Sequence, residues 1–495
     1  MSKSSAQLTG QRKQIQVIEP DTIAGRLSRY IFFALLAYMP LHILLSTWIG
    51  TSLNILDITK VAKEFVLVFG FGLVLAASYR KPWFGHLLRD KLMWLIGAFV
   101  VLHLLLMAML PGDPEVELLA LVYNTRYLMF FIYAILLAHL YNRAHLLKRT
   151  LQIVIFSSVL VLSFGWLQHS VLPPNTMERL GYSQEAGVLP AFYVDNNVDF
   201  MRVFSTQRNP NAYGAYLLII IAIALAYIRF TRTAAARYVL IGILGLALYN
   251  LLFTYSRSAW VGLVFVVIAL ITLLIKQGVH HKISREVKLV LYTALAALVI
   301  ISGSIIYAVG DSDTLQNIVF HSSDASEAES SNIVRIAYWQ DSLDFVWENP
   351  LGAGPGAAGP VSMRAGDSNI NENYYLQIAS EVGLIGLGLF LSIIGVVLVR
   401  LWRYALRSPI AAAVMASFVG IAATNMFAHT WSYESVAYTW WGLAGIFMVL
   451  GPKHQPTASK QKKPSVNKPK TTPQKPQKSP SKKAAKPNKK KGQAT

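Results

Sequence analysis

An all-α polytopic membrane protein is the fold class this sequence predicts, and three observations predict it. Only 14% of the 495 residues are charged while 54% are hydrophobic, with a mean hydropathy of +0.43, a balance foreign to soluble chains of this length. Apolar runs of about 18–22 residues, enough to cross roughly 30 Å of hydrocarbon, recur along the chain. Lysine and arginine gather in alternate connecting segments, as they do where one side of a membrane is cytoplasmic.

Twelve spans follow from the apolar runs: Tyr30–Ile49, Val61–Ser78, Leu92–Leu110, Leu118–Leu140, Leu151–Leu167, Ala212–Ile228, Tyr238–Phe253, Ala259–Ile275, Leu289–Val309, Tyr375–Val399, Ile410–Phe427 and Ser435–Leu450. With the N-terminus inside, most of the 45 lysines and arginines lie in inner segments and most of the 25 acids do not. Both termini are therefore expected in the cytoplasm. The polar stretch Met1–Arg29 lacks the short apolar core of a cleaved signal peptide, so none is expected.

Three parts result: a cytoplasmic N-terminal segment (1–29), a membrane domain (30–450) with a large extracytoplasmic loop over 310–373, and a tail (451–495). The tail is rich in Lys and Pro and free of acids. It cannot bury a core and is expected to be disordered. Attraction to anionic lipid or nucleic acid and a plain solvated tail that reinforces topology both fit it.

The outer segments carry the polar residues. Gln168–Asn211 closes on Arg202-Val203-Phe204-Ser205-Thr206-Gln207-Arg208-Asn209-Pro210-Asn211, where Pro210 suits a helix start whose free N–H groups attract anions. A tight turn, Thr254-Tyr255-Ser256-Arg257-Ser258, places Arg257 on the same side; its planar fork suits phosphate oxygens, and an interfacial snorkel is the plain alternative. In the large loop an acidic patch (Asp324 to Ser331) precedes an amphipathic helix, Ile333 to Trp347, with Ile336, Trp339, Leu343 and Val346 at helical spacing. That helix, expected at the membrane face, carries Arg335 and stops at Asn349-Pro350 before the turn Leu351-Gly352-Ala353-Gly354-Pro355-Gly356.

Charges at bilayer depth need a reason. Arg126 sits inside Leu118–Leu140 beside Tyr123, Asn124 and Thr125, and reads equally as a substrate contact and as one half of an ion pair. Glu372, where the loop re-enters the membrane among Asn371, Asn373, Tyr374 and Tyr375, could act as a general base or merely cap a helix. Glu381, further into the next helix, reads as a structural partner of an arginine. The expected site is Glu372, Arg202 and Arg257 as catalytic groups, with Arg126, Arg208, Asn211, Arg335, Asn373 and Tyr374 as substrate contacts. Two cations and one carboxylate at an outer cavity fit attack by a hydroxyl on a phosphate-linked donor.

Four blocks resemble the O-antigen ligase and polymerase superfamily of bacterial membrane enzymes. Arg202-Val203-Phe204-Ser205-Thr206 with Pro210-Asn211-Ala212-Tyr213-Gly214 resembles its Arg-x-x-Gly/Ser-Thr…Pro-Asn block, and Ser256-Arg257 its Ser-Arg turn. Pro350-Leu351-Gly352-Ala353-Gly354 resembles its Pro-Leu-Gly-x-Gly loop, and Tyr375-Leu376-Gln377 with Glu381-Val382-Gly383-Leu384-Ile385-Gly386 the block closing the extracytoplasmic loop. The resemblance implies a GT-C-like bundle in the bacterial inner membrane and an inverting, metal-independent glycosyl transfer without cofactor. It further implies a polyprenyl-diphosphate-linked saccharide donor gripped by Arg202 and Arg257, and a glycan or lipid acceptor. Ligases that cap lipid A-core usually carry His-Asn where this chain has Glu372-Asn373, which leaves ligation, polymerisation and transfer to another acceptor open.

A transporter or flippase of lipid-linked oligosaccharide is the alternative that twelve spans support, although no internal repeat accompanies them. The absence of cysteine excludes disulfides, thiolate nucleophiles and cysteine-ligated metals. There is no phosphate-cradling Gly-rich loop with Lys-Ser/Thr and no His-Glu-x-x-His helix. His280-His281 reads as an exposed cytoplasmic pair.

Overall fold

The computed structural model describes residues 22–110, 112–194, 197–228, 231, 233–277, 328–364 and 371–448. Thr22 opens the bundle, its hydroxyl accepting from Gly25 N at 3.1 Å. α1 (Ile23–Tyr38) then passes through a 3-10 turn at Pro40 into α2 (His42–Ser52). There follow α3 (Leu56–Ser78), α4 (Phe84–Leu88), α5 (Lys91–Met109), α6 (Pro114–Leu140), α7 (Arg143–Ser170) and the single turn α8 (Thr176–Arg179). A small antiparallel hairpin follows, β1 (Tyr193–Val194) with β2 (Asn197–Met201). The series resumes with α9 (Pro210–Ile228), α10 (Ala234–Phe253), α11 (Arg257–Lys276), α12 (Ala328–Glu348), α13 (Tyr374–Ala405), α14 (Pro409–Thr424) and α15 (Glu434–Phe447).

The sequence explains most of these boundaries. Asp90, Asp113, Asn142, Thr233, Asn373 and Ser408 cap the helices they precede with their side chains, and Pro114 and Pro409 occupy first-turn positions where no N–H is missed. Among the described residues nine elements are long and apolar enough to cross a membrane, with α1 and α2 counted as one, Ile23–Ser52. α14 and α15 match the expected eleventh and twelfth spans but are shorter, at 16 and 14 residues. The span expected at Leu289–Val309, His280-His281, the segment before Thr22 and the tail lie outside the described residues. The fold is that of an all-α polytopic membrane protein. Phe65, Val68, Trp94, Met109, Phe156 and Tyr238 all turn outward more than half exposed, a girdle suited to hydrocarbon and costly in water.

The bundle has two ends. At one, here the loop end, Lys60 Nζ donates to Ala186 O at 2.9 Å, Val203 N to Phe253 O at 2.8 Å and Tyr374 N to Asn425 O at 2.9 Å. At the other, the basic end, Arg400 Nη2 pairs with Asp90 at 2.6 Å and the Arg143 guanidinium stacks 4.3 Å above the Tyr404 ring. α9 runs between the ends buried on every side, packed on α10, α11, α14 and α15. It is apolar all round, as a central helix must be. Trp431, Trp440, Trp441 and Tyr127 form an aromatic core with ring centroids 5.0–5.6 Å apart along the Trp440–Trp441, Trp431–Trp440, Tyr127–Trp441 and Trp431–Trp441 contacts.

α13 is broken. Val382 (φ −120°) and Gly383 (φ 71°) leave the helical conformation, which strips hydrogen bonds from the turn before. The loop Pro350–Gly354 replaces them. Ala353 N donates to Ser380 O at 2.9 Å, Gly354 N to Glu381 O at 3.0 Å, and Leu384 N to Pro350 O at 2.9 Å. Unpaired, such groups would each cost several kcal/mol at membrane depth. The Pro-Leu-Gly-x-Gly loop and the Glu-Val-Gly block, separate motifs in the sequence, are thus one hydrogen-bonded unit.

Glu381, expected opposite an arginine, is instead fully buried among uncharged donors: Asn124 Nδ2 at 2.5 Å, Gly356 N at 3.3 Å and Gln377 Nε2 at 3.5 Å. α12 begins earlier than expected, and of its predicted apolar stripe Val346 is buried and Trp339 packs on Phe427, while Leu343 is 46% exposed. Ser342 takes the inward position.

A Cβ on Gly352 would meet Glu381 O and Gly383 N at 2.6 Å, and both Gly352 (φ 94°) and Gly383 hold left-handed backbone. Gly352→Ala or Gly383→Ala is expected to lower stability by about 1–3 kcal/mol or more, read as thermal unfolding in detergent. Gly388→Ala, into open space, should leave the transition unchanged.

Candidate active site

Arg202 and the Ser-Arg turn are brought together by one asparagine. Arg202 Nε donates to Thr254 O at 3.0 Å and its Nη2 to Asn211 Oδ1 at 3.2 Å, while Ser256 Oγ donates to the same Asn211 oxygen at 2.9 Å. Arg257 follows directly as the first residue of α11 and is half-buried. Asn211 therefore holds the two arginine-bearing segments in register at the loop end.

Beside them lies a cavity of 340 Å³ lined by Gln168, His169, Tyr193, Asp199, Val203 and Tyr255. Gln168 Oε1 accepts from Phe204 N and Ser205 N at 3.2 and 2.7 Å, which fixes the bend just after Arg202.

Glu372 connects to this cluster through the α14–α15 junction. Trp431 N donates to Asn425 Oδ1 at 3.3 Å, and Asn425 O receives Tyr374 N, so the junction carries the re-entry segment. Tyr433, on the same junction, accepts a hydrogen bond from Asn209 Nδ2 at 3.3 Å. Burial pushes the Tyr433 hydroxyl above its ordinary pKa; the Asn209 bond and the Arg208 charge pull the other way, and the Glu372 charge adds to the rise. Arg208 and Glu372 thus both act electrostatically on Tyr433. Arg208 Nη2 also donates to Gly187 O at 3.0 Å.

Strain marks the same segments. Among the described residues, four that are not glycine have positive φ, and three of them are Ser205 (53°), Tyr255 (48°) and Glu372 (43°). Each lies within three residues of Arg202, Arg257 or Glu372, or is that residue. Left-handed backbone costs a branched or long side chain about 1–3 kcal/mol and persists where surrounding contacts dictate it.

The remaining expected contacts sit elsewhere in the hydrogen-bond scheme. Asn373 is the cap of α13, its Oδ1 accepting from Tyr375 N at 2.9 Å and Leu376 N at 3.2 Å. It takes the capping role that the sequence left open for Glu372. Tyr374 is fully buried with its hydroxyl 3.0 Å from that of Tyr127. The Arg335 side chain lies outside the described residues.

Arg126 is 3% exposed and pairs with Glu64 at 2.9 Å and Glu434 at 3.1 Å, donates to Ser432 O at 2.9 Å, and stacks on Tyr123. Lys63 joins at 3.4 Å from Glu64 and 3.7 Å from Glu434. Two cations and two acids make a neutral cluster, and by gripping Ser432 and Glu434 it fixes the position of Tyr433 between them.

Sequence reasoning missed Tyr433, Glu434 and the Lys63-Glu64 pair. The pair carried a usable signal, since two charges sit inside an apolar run. His429 was missed as well. It is buried, neither ring nitrogen meets a partner among the described residues, and burial pulls its pKa down to about 4, so the imidazole is neutral at neutral pH.

The bundle and this cluster define a polytopic helical membrane protein with polar, strained segments converging at one end. Residues 242–391 match the family described as O-antigen ligase, which bears out the resemblance to the O-antigen ligase and polymerase superfamily. The matched stretch holds Arg257, the Gly-rich loop and Glu372 through Glu381, while Arg202, Arg208 and Asn211 precede it. No curated protein matches the chain.

Arg126→Ala leaves Glu64 and Glu434 without their main counter-charge. A loss of about 3–5 kcal/mol is expected, seen as reduced protein level in membranes and a lowered melting temperature, with Arg126→Lys intermediate.

Proposed function

We propose that this protein is an O-antigen ligase-like glycosyltransferase of the bacterial cytoplasmic membrane, with the loop end facing outward. It would transfer or polymerise a polyprenyl-diphosphate-linked glycan onto an acceptor hydroxyl. The observation that carries this reading is the junction at Asn211, which joins Arg202 to the turn bearing Arg257. Two guanidinium groups on adjoining segments form a fitting clamp for a diphosphate, which gathers charge as it departs.

In the reaction, the acceptor oxygen forms a bond to the anomeric carbon as the bond from that carbon to the diphosphate oxygen breaks. The electron pair leaves on the diphosphate, held by Arg202 and Arg257. The hydroxyl proton passes to the Glu372 carboxylate; Asn373, not Glu372, fills the capping position of α13. Back-side attack inverts the anomeric centre. No metal enters this scheme, because the arginines supply the positive charge. The hydrogen bonds that tie the re-entry segment to the α14–α15 junction, and that junction through Tyr433 to Asn209, support a base on the same end of the bundle as the clamp.

Arg202→Ala and Arg257→Ala are each expected to slow transfer about 10²–10³-fold, and Glu372→Gln about 10²–10⁴-fold, at unchanged protein level. Purified protein with a lipid-linked donor, without nucleotide or ion gradient, provides the assay. Full activity in Arg257→Ala and Glu372→Gln would remove the site. Donor translocation without transfer would favour a flippase instead.

A further inference from the structure

A second site lies at the basic end, away from the arginines of the proposed transfer. A cavity of 620 Å³ is lined by Arg29, Tyr30 and Phe33 of α1 and by Tyr141, Asn142, His145, Leu146 and Arg149 around the start of α7. Its wall has two materials: Arg29, His145 and Arg149 give charge and hydrogen-bond donors, and Tyr30, Phe33 and Leu146 give apolar surface. No acid lines it.

The helices make the arrangement specific. α1 and α7 pack together and both start at this end. Arg29 and Arg149 each stand six residues from the first residue of their helix, about 9 Å along the axis at 1.5 Å per residue. Both arginines therefore line the cavity from the second turn of their helices, and Arg149 Nη1 also donates to Gln152 Oε1 at 3.3 Å. The Arg29 guanidinium stacks 4.3 Å over the Tyr141 ring and 5.7 Å from that of Tyr30, which restrains its position at the cavity.

Tyr30 is 59% exposed, and Phe33 continues one turn deeper on α1. The cavity thus opens at its apolar side toward the surface that hydrocarbon covers. A ligand filling it needs an anionic head and an apolar body.

We propose that this cavity binds the phosphate headgroup of an anionic phospholipid, with Arg29 and Arg149 as a two-sided clamp and the acyl chains leaving past Tyr30 and Phe33. Planar guanidinium forks match phosphate oxygens, and basic pockets between membrane helices suit such headgroups. The inference does not depend on the proposed glycan transfer, since none of its residues belongs to that site.

The test is native mass spectrometry of the full chain in detergent, titrated with phosphatidylglycerol, phosphatidylcholine or inorganic phosphate. Retention of phosphatidylglycerol over phosphatidylcholine is expected, with no comparable retention of inorganic phosphate. Arg29→Ala/Arg149→Ala should lose about thirtyfold in phosphatidylglycerol affinity. Arg29→Lys/Arg149→Lys, which keeps the charge, should lose less. Lys148→Ala/Arg403→Ala, at exposed positions of the same end that do not line the cavity, should bind as the parent does. Equal loss in this control would reduce the effect to diffuse surface charge and overturn the site. Unchanged binding in the double alanine variant would overturn it too, as would equal retention of phosphatidylcholine. Retention of inorganic phosphate alone would assign the clamp to a free anion. If the double alanine variant fails to fold, the lysine variant and Leu146→Trp, which fills the cavity, decide the matter: full affinity in both rejects the proposal.

Discussion

The break in α13 is the constraint on which the loop end depends. A helix interrupted at membrane depth exposes carbonyls and an N–H that hydrocarbon cannot satisfy. The Pro350–Gly354 loop supplies partners at 2.9–3.0 Å, and in doing so anchors the far end of the long polar connection to the first turns of the same helix. Residues 371–373 then have little freedom: Asn371 Nδ2 is bound to Ser380 Oγ at 3.1 Å and Asn373 caps α13. Glu372 is caught between them in a left-handed conformation. The strain at this residue follows from two fixed neighbours rather than from any preference of glutamate.

A second layer of order comes from charge. Arg126 and Lys63 neutralise Glu64 and Glu434 inside the bundle, and the cluster holds the residues on both sides of Tyr433. Tyr433 reaches Asn209, two residues before the asparagine that joins Arg202 to Ser256. Hydrogen bonds and ion pairs, joined by short stretches of backbone at 432–434 and 209–211, therefore link α3 and α6 to the segments carrying Arg202 and Glu372. Buried ion pairs are weak contributors to net stability, yet losing one partner is costly. Their effect here is to fix geometry.

Much of the fold was legible. Apolar runs located the long helices but missed some ends by up to eight residues, as at α7, which starts at Arg143 and not at Leu151, because a helix's polar first turns lie outside its apolar run. The tight turn at Thr254–Ser256 was readable from its polar residues between two greasy stretches. Less legible was the end of α14, whose apolar run outlasts the helix because Asn425 to Phe427 turn into the junction. Which residues of the α12 stripe meet protein was not legible, since helical spacing alone does not say whether an apolar side chain, buried like Val346 or exposed like Leu343, meets protein or lipid.

The sequence by itself determined a polytopic helical bundle, the ends at which its polar segments lie, and the motif blocks that the family match covers, because hydrophobic length and charge placement are local properties of the chain. Only the tertiary structure decided that Asn211 joins Arg202 to the Ser-Arg turn, that Asn373 and not Glu372 caps α13, and that Arg126 is ion-paired to Glu64 and Glu434. Each of these depends on which side chains meet across helices tens to hundreds of residues apart. Such pairings arise from the common packing of the whole bundle, and no window of sequence contains them.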